Sequence, residues 1–144
     1  MSTYPMQTRS RVAYAVFALL NPVPFGCFVA ALVFDAAYAS NYDVLWVKAS
    51  GWLIAMGLVF AILPRLINLV QVWVPPRRST GIEKLDFWLN LFAIAAAIAN
   101  AFVHSRDAYA AVPQSVWLSA VTVGLLSIGF IVSAAASRVT GRAP

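Results

Sequence analysis

Four apolar runs, each close to the length that crosses a bilayer, take up most of this chain. A helix rises about 1.5 Å per residue, so roughly 20 apolar residues span the hydrocarbon core. Spans are expected at about 24–39, 45–72, 85–103 and 115–137, with short polar turns between them. Apolar residues make up 62% of the chain and charged residues 10%, where a soluble domain carries about 25% charged residues. Such a chain cannot clothe a globule in polar side chains, and lipid must replace water over most of its surface. The expected fold is therefore all-α: an integral membrane four-helix bundle made of two helical hairpins.

The first 21 residues stand apart as a polar N-terminus followed by a short interfacial helix over about Arg11–Leu20. Pro22 and Pro24 break that helix near Asn21, because proline lacks the amide donor and clashes with the preceding turn. Residues 22–144 form the four-span domain. The run ending Ala37-Tyr38-Ala39 resembles a cleavage site. Its apolar stretch is longer than a signal core of about 7–15 residues, so it reads as a retained first span. Tyr38 and Tyr42 are expected in the aromatic belt at the membrane surface. The second run is longer than a span needs and holds Pro64, which predicts tilt and a kink.

The formal net charge is +5, and the cations sit beside apolar segments. That points to anionic lipid headgroups, at about 1 kcal/mol per Lys or Arg near the surface, rather than to nucleic acid. Arg9, Arg11, Arg77, Arg78, Lys84, Arg138 and Arg142 fall on one side of the expected bundle, and Lys48 and Arg106 on the other. By the positive-inside rule both termini and the Pro75–Lys84 loop are cytoplasmic.

Lipid is as apolar as leucine, so helices in it associate through close packing and polar contacts. Small residues recur four apart: Gly26 with Ala30, Gly51 with Ala55, Gly57 with Ala61, Ala93 with Ala97 and Ala101, Gly129 with Ser133 and Ser137. Interhelical hydrogen bonds from Asn90 and Asn100, which face broadly similar directions, would add to that packing.

Few side chains suggest chemistry. An intramembrane acid is costly, at about 2.5–3.5 kcal/mol for mid-membrane Asp. Asp35 is expected to pair with Lys48 across the first hairpin, or else to handle protons or cations. Arg65 and Asp86 are expected to pair at the other end, aided by Asn68 or Asn90. Alternatively, Arg65, Arg77 and Arg78 form a site for an anionic headgroup. His104, the only histidine, is expected in a surface loop beside Arg106 and Asp107. It is the one weak candidate for a cofactor, since bis-histidine haem would need a second histidine from another chain. Cys27, the only cysteine, excludes an internal disulfide and a cysteine metal cluster. No hydrolase triad, phosphate-binding glycine loop or metal cluster is present, so no catalytic, metal or cofactor site is assigned. The stretch from Asp35 to Trp46 echoes that from Asp107 to Trp117, as a weak parallel repeat would.

The order of these features resembles the DUF2231 family of small bacterial membrane proteins. The matching residues are Asn21-Pro22-Val23-Pro24-Phe25 opening the first span, Asp35 near its end, Gly57 in the second and Asn90 in the third. The family typically opens with His-Pro and a following Phe-Pro. Asn21 stands in place of that histidine and is a poor ligand for a metal or haem. The resemblance implies a four-helix, multi-pass protein of the bacterial inner membrane without an assigned activity. On residues alone, the leading expectation is a non-enzymatic scaffold or accessory subunit that partners other membrane proteins or itself. The alternatives are a haem- or quinone-linked subunit of a dehydrogenase, and a small transporter or channel subunit.

Overall fold

The structure, a computed structural model, describes the backbone of residues 22–73 and 81–140 and the side chains of 22–63, 81–82 and 84–136. The expected interfacial helix and the basic loop around Arg77 and Arg78 lie outside these residues. Among the described residues four helices follow in order: α1 (Pro22–Asn41), α2 (Val44–Trp73), α3 (Gly81–His104) and α4 (Gln114–Thr140). A short 3-10 turn, Ala108–Ala110, lies between α3 and α4. All four helices are long and apolar enough to cross a membrane.

Local chemistry sets the helix ends. Pro22 and Pro24 fall in the first turn of α1, where a missing amide donor breaks no helical bond. At the other end Tyr42 takes the left-handed conformation, with φ of 55°, and its amide donates to the Tyr38 carbonyl at 2.8 Å. This is the geometry of a helix C-cap. The Asn41 side chain accepts from the Asp43 amide at 2.9 Å, and the Asp43 carboxylate accepts from the Leu45 amide at 3.0 Å. Asp43 thus caps the start of α2, and the chain reverses with only Tyr42 and Asp43 between helices.

Each helix buries one narrow seam at alternating intervals of three and four. The seam is Pro24, Phe28, Ala31, Asp35 and Tyr38 on α1, and Val47, Ser50, Ile54, Gly57 and Ala61 on α2. On α4 it is Ser115, Ser119, Thr122, Leu126 and Gly129. On α3, Asn90, Ala93, Ala97 and Asn100 are buried, and the His104 side chain, 4% exposed, extends the line. This spacing is that of knobs-into-holes bundles. The helices close a ring in which α3 packs on α4 and α1 on α2 most extensively, with smaller contacts between α4 and α1 and between α2 and α3. The opposite side of each helix carries large apolar residues such as Trp52, Trp117, Phe102 and Ile131, all exposed, as a lipid-facing surface requires.

Small residues decide where backbones approach. A Cβ on Gly57 would stand 2.9 Å from the Phe28 ring and 3.2 Å from the Cys27 side chain. One on Gly129 would stand 3.2 Å from the Asp86 carboxylate. The expectation for Gly26 is corrected: a Cβ there meets nothing within 4 Å. Its position, two residues after Pro24, falls off the buried seam.

The part of the ring away from the two short connections holds Phe28, Ala61, Ala93, Ala97 and Leu126. The end formed by the two short connections is closed by Tyr38, Val47 and Ala111. Tyr38 is therefore no belt residue; it is fully buried and packs edge-on against Tyr42, which stays exposed. The suggested repeat is not matched by environment either. Asp35 is buried and Asp107 exposed, and Trp46 packs on Phe34 while Trp117 is exposed.

Candidate functional site, a polar layer inside the bundle

One buried polar residue from each helix lies between the two apolar clusters: Asp35, Ser50, Asn100 and Ser119, none more than 2% exposed. His104 joins them. Its Nε2 lies 2.8 Å from Asp35 Oδ1, and its Nδ1 2.9 Å from the Asn100 carbonyl. A helical side chain leans back over the preceding turn, which carries the ring of this last α3 residue into the bundle. Ser119 donates to Asp35 Oδ2 at 2.5 Å, and the Asn100 amide donates to Ser119 Oγ at 2.7 Å. Ser50 donates to the Ala31 carbonyl at 3.2 Å, one turn before Asp35.

The directions of these bonds fix the proton count. The Asn100 carbonyl only accepts, so a proton sits on His104 Nδ1. A second proton must lie between Nε2 and Asp35 Oδ1, since otherwise two lone pairs would face each other. The pair is then either imidazolium with carboxylate or imidazole with carboxylic acid. Both forms carry no net charge, which is what burial in a membrane favours. Around this layer the Tyr38 hydroxyl, Asn100 Oδ1 and Ser115 Oγ are buried and lack a hydrogen-bond partner among the described residues.

Two sequence expectations fail here. The partners of Asp35 are His104 and Ser119, not Lys48. The α2 seam places Val47 and Ser50 inside, which leaves Lys48 exposed at the cleft towards α3. His104 is not a surface loop residue: it ends α3 and is buried. As a cofactor candidate it is further weakened, because both ring nitrogens are already engaged and iron ligation would break one of those bonds. Ser50, Ser119 and Thr122 were passed over because a hydroxyl in an apolar run reads as a spacer. The signal was present: each falls on a three-four seam, and His104 continues that of Asn90, Ala93, Ala97 and Asn100.

At the opposite end, the Asp86 carboxylate accepts from Asn90 Nδ2 and from Ser133 Oγ on α4, each at 3.1 Å. Asn90 also donates to the Asp86 carbonyl at 2.8 Å. The expected Arg65 partnership with Asp86, and the cluster of Arg65, Arg77 and Arg78, involve side chains outside the described residues.

Four apolar helices around a buried polar layer define a multi-pass membrane protein. The sequence model of a family described as "Predicted membrane protein (DUF2231)" matches residues 14–137. The chain belongs to that DUF2231 family. No curated protein and no solved structure matches it.

Proposed function

We propose that this chain is a non-enzymatic subunit of the bacterial inner membrane, an accessory or scaffolding part of a larger membrane assembly. The observation that supports this reading is the closed form of the polar layer. Its acid and its imidazole are bonded to each other across the bundle, between apolar layers, and hold α1, α3 and α4 in one arrangement. A rigid apolar body is suited to docking against other membrane helices. In this reading both termini and the basic loop face the cytoplasm, where Arg65, Arg77 and Arg78 meet anionic headgroups. The test is crosslinking in intact membranes followed by purification in mild detergent. A reproducible protein neighbour, or a second copy, supports the proposal. Isolated protomers across several mild detergents overturn it.

A second reading has its own support. His104 and Asp35 share a proton within a span, and intramembrane acids and histidines are the residue types that relay protons in transporters. Proteoliposomes carrying a pH-sensitive dye separate the two. A proton flux that Asp35→Asn abolishes, in a protein that remains folded, would establish the transport reading. An unchanged flux baseline with a folded variant would leave Asp35 as a structural group.

A further inference from the structure

Between α2 and α3 a lateral cleft of about 620 Å³ opens at the end that carries the short connections. Its volume lies in the range of ligand sites, about 300–1,000 Å³. Its lining changes character along its length. Lys48 near the start of α2 and Arg106 just beyond the end of α3 stand at its mouth, and both are exposed. Among the described residues neither cation pairs with a carboxylate. Below them, Gly51 and Ala55 follow Lys48 down α2, with Ala101 opposite on α3. These small side chains, with Trp52 beside them, leave a trough at the depth of the spans. Asp107 also borders the mouth, so two cations stand against one acid. His104 lies in the wall with its nitrogens engaged elsewhere.

A cationic mouth above an apolar trough complements an amphiphile with one negative charge. We propose that this cleft binds an anionic phospholipid, with its phosphate between Lys48 and Arg106 and one acyl chain lying along Gly51, Ala55 and Ala101. The site is distinct from the Arg65, Arg77 and Arg78 cluster at the opposite end, and it does not depend on the role proposed for the subunit. Charge complementarity at the mouth sets the headgroup preference. The trough sets the need for a chain, which a soluble phosphate lacks.

The test uses the purified full chain in detergent, titrated with dioleoyl phosphatidylglycerol and with dioleoyl phosphatidylcholine and read by native mass spectrometry. Phosphatidylglycerol is expected to bind more tightly than phosphatidylcholine. Lys48→Ala or Arg106→Ala should each weaken phosphatidylglycerol about fivefold, and the double variant about 30-fold, with little change for phosphatidylcholine. Ala55→Trp, at an exposed position, should fill the trough and weaken both lipids with the charges intact. Far-UV circular dichroism confirms that each variant is folded. Equal binding of the two lipids overturns the proposal, as does a double variant that binds like the parent. Competition by glycerol phosphate at the same concentration as the lipid would also overturn it, because an anion alone would then suffice.

Discussion

His104 Nε2 lies 2.8 Å from Asp35 Oδ1 and so ties the end of α3 to α1 across the bundle. The contact also fixes relative direction. Because Asp35 is near the end of α1 and His104 is the last residue of α3, these two helices run the same way, and both short connections lie at one end.

If that bond is a neutral pair sharing a proton, substitutions at its two ends, Asp35 and His104, should differ. Asp35→Asn keeps a donor for His104 Nε2 and an acceptor for Ser119, and should unfold close to the parent temperature. His104→Ala leaves a buried acid without its partner and should cost about 3 kcal/mol or more. Thermal unfolding in detergent gives the comparison. Equal losses in both variants would mean that charge, not hydrogen bonding, dominates the pair.

Ser119 both accepts from Asn100 and donates to Asp35, so the losses at Ser119 and Asn100 should not add. Ser119→Ala and Asn100→Ala are each expected to cost about 0.6–1.7 kcal/mol, from the average to the maximum measured for interhelical bonds in membranes. The double variant should cost clearly less than the sum, by a double-mutant cycle in chemical denaturation. Full additivity would show that the two act separately.

Glycines on and off the seam should respond in opposite ways. Gly57→Ala forces a methyl group to within 2.9 Å of the Phe28 ring and should destabilise by about 1–3 kcal/mol. Combining it with Phe28→Leu should recover part of the loss. Gly26→Ala meets nothing within 4 Å, and should be neutral or slightly stabilising, since alanine is the better helix former. Loss of folded yield on Gly26→Ala would show that this face is occupied by a partner.

Topology can be read with single cysteines placed in a Cys27→Ala background. Ser79→Cys should be shielded from an impermeant maleimide in intact cells, and Ser105→Cys should react. The reverse pattern would invert the proposed orientation and would place Lys48 and Arg106 on the cytoplasmic side.

The tight turn at Asn41–Asp43 was legible because polar residues interrupt two apolar runs there; its Asx turn, its left-handed Tyr42 and the Asp43 cap are details of the structure. The partner of Asp35 was not. Lys48 looked suitable because it is close in sequence and opposite in charge, yet it faces the cleft with α3. The choice depended on helix rotation, and a hydropathy run carries almost no information about rotation when all its sides are apolar. His104 was misread for a related reason. Its charged neighbours Arg106 and Asp107 suggested a loop, while the four preceding seam residues had already carried it to the interior face.

The sequence by itself determined the solvent of this protein. Long apolar runs and few charges require a bilayer, and a bilayer requires helices, because no water is present to bond free backbone groups. Only the tertiary structure decided which polar groups meet. Asp35 and His104 stand 69 residues apart, and their contact depends on the rotation of two helices about their own axes. That rotation is set by small residues such as Gly57 and Ala97 fitting against their neighbours, since lipid itself gives no preference among apolar faces.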